Sequence, residues 1–65
     1  MPKSYSSREI IKLIEADGWY HIKTTGSHWQ YKHPTKKGRT VVKHPDKDIP
    51  TGTLKSIERQ SGLKF

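Results

Sequence analysis

The sequence predicts an α+β domain of order α-β-β-β-α, in which a three-stranded antiparallel meander carries both helices on one face. Three observations lead there. An apolar repeat of helical period opens the chain behind a capping-box spacing. Two runs rich in aromatic and β-branched residues meet at a glycine turn, and a third follows a second turn. A last helical segment is closed by glycine. At 65 residues the chain reads as one domain, 1–65. A domain of this size buries only about 60% of the surface that its unfolded chain exposes. Its hydrophobic fraction is 29%, so the core is thin and any active site is shallow and open. Two helices can cover one sheet face and leave the other to solvent.

The first helix runs from about Ser7 to Asp17. Ser6 and Glu9 have the spacing at which each side chain satisfies the other's free backbone N–H. Ile10, Ile11, Leu13 and Ile14 follow near helical period, and Gly18 is a left-handed stop. Trp19 to Thr24 reads as a strand, with Thr25-Gly26 as a tight turn. His28 to His33 alternates and ends at Pro34. A two-residue turn pairs Tyr20 with Tyr31, Ile22 with Trp29 and Lys23 with His28. That register puts Tyr20, Ile22, Trp29 and Tyr31 on one face, and His21, Lys23, His28, Gln30 and Lys32 on the other. Arg39 to His44 follows the turn signal Pro34-Thr35-Lys36-Lys37-Gly38 and forms the third strand, with either Val41 or Val42 inward. Thr51 to Ser61 is the second helix, with Leu54 and Ile57 at i, i+3 and Gly62 closing it. Ile49, Leu63 and Phe65 extend the core.

Thirteen Lys and Arg oppose six Asp and Glu, for a net charge of +7 and a pI near 9.9. Such a field attracts polyanions, and nucleic acid is the usual partner of so basic a domain. An acidic protein fits the charge equally well. The absence of cysteine excludes disulfides, thiolate chemistry and Cys-based zinc sites. No stretch approaches the roughly 18 apolar residues of a membrane span. The opening Met1-Pro2-Lys3-Ser4-Tyr5-Ser6 has no signal-peptide pattern. A soluble, cytoplasmic protein with no membrane partner is expected.

Ser27 beside His28 is no triad, because neighbouring strand residues point to opposite faces. His21, His28, His33 and His44 lack metal-ligand spacing, and Asp46 and Asp48 flank Lys47 rather than clustering. No metal or cofactor is therefore expected. General acid–base chemistry remains. RNA carries its own nucleophile, the 2′-hydroxyl, so a histidine for proton transfer and lysines for developing charge suffice. His28 stands where the Gly26-Ser27 turn meets a strand, on the polar face and opposite Lys23. Lys36, Lys37 and Arg39 form a basic cluster that is either a phosphate clamp or a solvated hairpin tip. Lys23, Lys32 and Lys43 extend it along the strands. Trp19 either stacks a base on the polar face or packs against the first helix. His33 and His44, each before a proline, read as structural, and His21 as either a nucleic-acid contact or solvated. Gly52 marks a helix entry with open backbone N–H groups. Three functions fit these residues: an endoribonuclease, a noncatalytic RNA-binding module of the same fold, or a protein-interaction domain.

Four groups of residues narrow the choice: Asp17-Gly18-Trp19; Gly26-Ser27-His28; Tyr31-Lys32-His33-Pro34; and Ile49-Pro50-Thr51-Gly52-Thr53-Leu54, leading into Ile57 and Gln60-Ser61-Gly62-Leu63. In this order and spacing the chain resembles the HicA (YcfA-like) toxin family over nearly its whole length. The resemblance implies a double-stranded-RNA-binding-domain-like fold. It also implies a toxin of a type II toxin–antitoxin system, an mRNA interferase that cleaves mRNA without a metal and blocks translation. The implied partners are the mRNA substrate and a HicB-type antitoxin, with DNA touched only indirectly through the antitoxin's own DNA-binding domain. The family's catalytic histidine follows Gly-Ser, which implies His28 here, with Gly26 and Ser27 as the supporting turn. Many members carry a second histidine directly after it. This chain has Trp29 there, so the second acid or base stays open among Lys23, Lys32 and water.

Overall fold

The computed structural model describes residues 4–65; Met1–Lys3, part of the expected domain, lie outside the described residues. The chain runs α1 (Ser7–Ala16), β1 (Tyr20–Thr25), β2 (His28–Lys32), β3 (Thr40–Lys43) and α2 (Thr51–Ser61). The sheet is antiparallel in the order β1-β2-β3.

Helix α1 begins at the expected capping box, with Ser6 and Glu9 exchanging side-chain and backbone hydrogen bonds. It ends in a Schellman motif. The N–H of Gly18 donates to the Glu15 carbonyl at 3.0 Å, and that of Trp19 to the Ile14 carbonyl at 3.1 Å, which satisfies carbonyls that the helix end leaves free. Gly18 takes φ +108°, and a Cβ there would sit 2.9 Å from His33 Nε2. Both facts require glycine. The motif sets Trp19 over Ile14, and both are buried.

The core comprises Ile10 and Ile14 of α1, Trp19, Tyr31 of β2, Val42 of β3, Ile49, and Ile57 of α2. Both helices pack on β3 and cover the Tyr31/Val42 face. Val42, not Val41, is therefore the inward residue. Burial also settles Trp19: at 2% exposure it belongs to the core and cannot stack a base.

The β1–β2 register differs from the one expected. The turn is Gly26-Ser27 rather than Thr25-Gly26, with Gly26 at φ +59°, and type II′ turns take glycine at that first central position. Thr25 then faces His28, Thr24 faces Trp29 and Lys23 faces Gln30. An irregularity between His21 and Lys23 shifts the phase, so that His21 faces Tyr31 and Tyr20 faces Lys32. Tyr20 and His21 consequently exchange the faces expected of them. The cause is packing at the two ends of β1. Trp19 must point into the core, which sends Tyr20 outward. The turn independently sends Lys23 and Thr25 outward, and one extra residue, Ile22, reconciles the two phases as a β-bulge does.

Candidate active site

The uncovered sheet face is built in rows, because cross-strand partners project to the same side. One row is Thr25, His28 and Lys43; the next is Lys23, Gln30 and Val41; the third begins with Tyr20 and Lys32. Arg39 directly precedes β3. Arg39 reaches back to donate from Nη1 to Gln30 Oε1 at 2.9 Å. Lys23, Lys32, Lys43 and Arg39 are exposed, so one open face carries four cations.

His28 is exposed at one end of this face. Among the described residues no side-chain hydrogen bond or ring contact ties its imidazole. Its backbone is fixed instead, since the His44 N–H donates to the Ser27 carbonyl at 2.8 Å. That bond ties the Gly26-Ser27 turn to the end of β3. The lysine directly across from His28 is Lys43, not the expected Lys23, which lies diagonally one row away.

Two of the other three histidines, His33 and His44, are tied into the framework. His33 Nδ1 accepts backbone N–H bonds from Thr35 and Lys36, both at 3.1 Å. The proton therefore resides on Nε2, which donates to the Asp17 carbonyl at 2.7 Å. The Ser7 hydroxyl accepts the Asp46 N–H at 2.8 Å and shares a hydrogen bond of 2.6 Å with His44 Nδ1. Ser7 is 1% exposed, so this Ser–His pair is a structural tie and no nucleophile. His21, expected on the polar face, instead lies on the helix-side face against the rings of Trp29 and Tyr31, with Thr24 Oγ1 2.6 Å from its Nε2. Trp29 is half-buried there and meets His44 edge-on.

The basic turn divides. Lys37 is exposed. Lys36 is committed within the fold, donating to Asp17 Oδ2 at 2.5 Å and to the Ser61 carbonyl at 3.0 Å. It joins the ends of both helices, where a cation also meets the negative pole of a helix dipole. The Lys36 hydrogen bond holds the Asp17 carboxyl below its ordinary value of 3.8, against a smaller opposing effect of burial. Burial, and secondarily the Glu15 carboxylate, push the Tyr31 phenol above 10.0. Among the described residues no three His, Asp or Glu side chains converge as a metal site would require, and no helix is long and apolar enough to cross a membrane.

Sequence reasoning missed Tyr20 as a resident of the open face. The usable signal was Trp19: a tryptophan directly after a helix stop at Gly18 is the hydrophobic partner of a Schellman motif, and its burial sets the parity of the first residues of β1.

Residues 7–63 match the family model described as HicA toxin of bacterial toxin-antitoxin. No curated protein matches the chain at a significant level.

Proposed function

The chain belongs to the HicA toxin family and has that family's toxin role in a toxin–antitoxin system; from that premise we propose that it is a metal-independent endoribonuclease that cleaves mRNA through His28. The carrying observation is the placement of His28. It is exposed on the open sheet face, held by a tied turn and directly across from Lys43. In the proposed step the RNA 2′-oxygen attacks the adjacent phosphorus. The 2′-O–P bond forms, the P–O5′ bond breaks, and a 2′,3′-cyclic phosphate and a 5′-hydroxyl result. One proton leaves the 2′-hydroxyl and one arrives on the 5′-oxygen. His28 performs one transfer as general base or acid. Water performs the other, because Lys23 and Lys32, the side chains expected for it, stand one and two rows away. Lys43 stabilises the charge that builds on the phosphoryl oxygens. A single positioned histidine supplies about 10²- to 10⁴-fold, so the enzyme is slow.

Lys23, Lys32, Lys37, Arg39 and Lys43 serve as phosphate contacts in this reading, and Lys36 as a brace. A HicB-type antitoxin silences the toxin by covering the His28 face. The test of the nuclease is His28→Ala: cleavage of purified RNA and growth arrest are lost while circular dichroism is unchanged, and chelator leaves the parent activity intact. Cleavage at the parental rate by His28→Ala overturns the assignment. Diethyl pyrocarbonate should modify His28 in the free toxin and not in the antitoxin complex; full reactivity in the complex would point to inhibition from a distance.

A further inference from the structure

We propose that Tyr20 is a base-stacking platform, and that the open sheet face therefore takes an unpaired RNA strand rather than a duplex. The inference deepens the nuclease reading and rests on it for the identity of the substrate. Tyr20 is 49% exposed on the same face as His28, because the bulge between His21 and Lys23 turns it out of the core side. Bulges that re-aim a side chain in this way are over-represented beside active sites. Tyr20 has no hydrogen bond or ring contact among the described residues, so no other ring or polar group competes for its exposed half. Its cross-strand partner is the cation Lys32, and Arg39 lies on the same face, bonded to Gln30. An aromatic ring bounded by phosphate-binding cations on an exposed sheet is the arrangement by which single-stranded RNA is held, with the base on the ring and the backbone along the charges. A base within a duplex has both π-faces occupied by its neighbours and cannot use such a ring.

The spacing suits one strand reaching both ends of the face. Lys32 lies four residues from His28 along β2, roughly 13 Å at the usual strand rise of about 3.3 Å per residue, with Tyr20 one strand over. A few nucleotides of extended strand span that gap, so a base held on Tyr20 fixes which phosphate reaches His28. Tyr20 is thus a positioning residue, set apart from the reacting atoms.

The experiment measures binding without cleavage. Full-length His28→Ala protein, with and without a second change at Tyr20, is titrated into a short unstructured fluorescein-labelled oligoribonucleotide and into its duplex. Tyr20→Ala should weaken single-strand binding about 5- to 150-fold, from the usual worth of one base–aromatic stack. It should leave duplex binding unchanged, and Tyr20→Phe should restore the single-strand affinity. Circular dichroism verifies that each variant folds. Equal single-strand affinity for Tyr20→Ala and its parent overturns the proposal, as does an equal loss on duplex. Weakened capture of an acidic protein with RNA binding untouched overturns it too, by assigning the ring to a protein interface. The nuclease reading is judged separately, by whether the unaltered protein cuts RNA. Tyr20-dependent binding with no cutting would sink that reading and leave the stacking platform standing.

Discussion

The register ranks the lysines around His28, and that ranking can be measured. Lys43 is the direct cross-strand neighbour of His28, whereas Lys23 pairs with Gln30 and meets His28 only on the diagonal. Direct neighbours have Cβ atoms about 5 Å apart and diagonal ones about 7.5 Å. Let these spacings stand for the distances from each ammonium to a phosphate held at His28. Coulomb energy falls as 1/(εr), so Lys23 supplies about two-thirds of the stabilisation that Lys43 supplies. Between bulk water and the effective dielectric of about 20 usual near protein surfaces, the Lys43 contribution spans about 4- to 250-fold. The openness of this face places it in the lower part. Lys43→Met should slow cleavage about 5- to 30-fold, and Lys23→Met about 3- to 10-fold. Methionine keeps the aliphatic stem and removes only the charge. The assay is single-turnover cleavage of labelled RNA with enzyme in excess at low salt, with RNA affinity measured separately to isolate the chemical step. A larger loss for Lys23→Met than for Lys43→Met refutes the ranking, since it is the order expected if Lys23 stood opposite His28. Equal losses refute it as well.

Other outcomes concern the scaffold. Thr40 is fully buried, and its hydroxyl has no partner among the described residues. Thr40→Val should therefore raise stability by about 1 kcal/mol and the melting temperature by about 4–8 °C; a lower melting temperature would show that the hydroxyl is satisfied. Asp17 is held below its ordinary 3.8 in the folded state. The folded state thus binds fewer protons than the unfolded one as pH falls into that range, so the stabilisation is present above it and lost below. Asp17→Asn should be less stable than the parent at neutral pH, and the difference should close as pH drops from about 5 through 3.8 and lower. A gap independent of pH, read from urea unfolding, would detach the effect from the carboxylate charge.

What the sequence determined by itself is what local chemistry dictates. The Ser6/Glu9 box starts α1, and Gly18 stops it. Thr51 to Ser61 forms α2 over the expected residues. Tyr31, Ile57 and the isoleucines Ile10 and Ile14 of α1 lie in the core. His28 falls on the open face because Tyr31, three residues further along β2, points into the core and alternation puts His28 on the other side. Each of these signals is read along the chain within one turn or one strand.

Tertiary structure decided whatever depends on two distant constraints at once. Trp19 is buried against α1 while Gly26-Ser27 turns the hairpin, and only a bulge at Ile22 satisfies both. That bulge puts Tyr20 with Lys32 and His21 with Tyr31. Lys36 looks like any lysine of a basic turn until the ends of α1 and α2 converge on it with a carboxylate and a carbonyl. The physical reason is common to these cases. Alternation along a strand specifies its two faces only relative to each other. Which of them is buried, and where the phase slips, depends on the area that the helices cover.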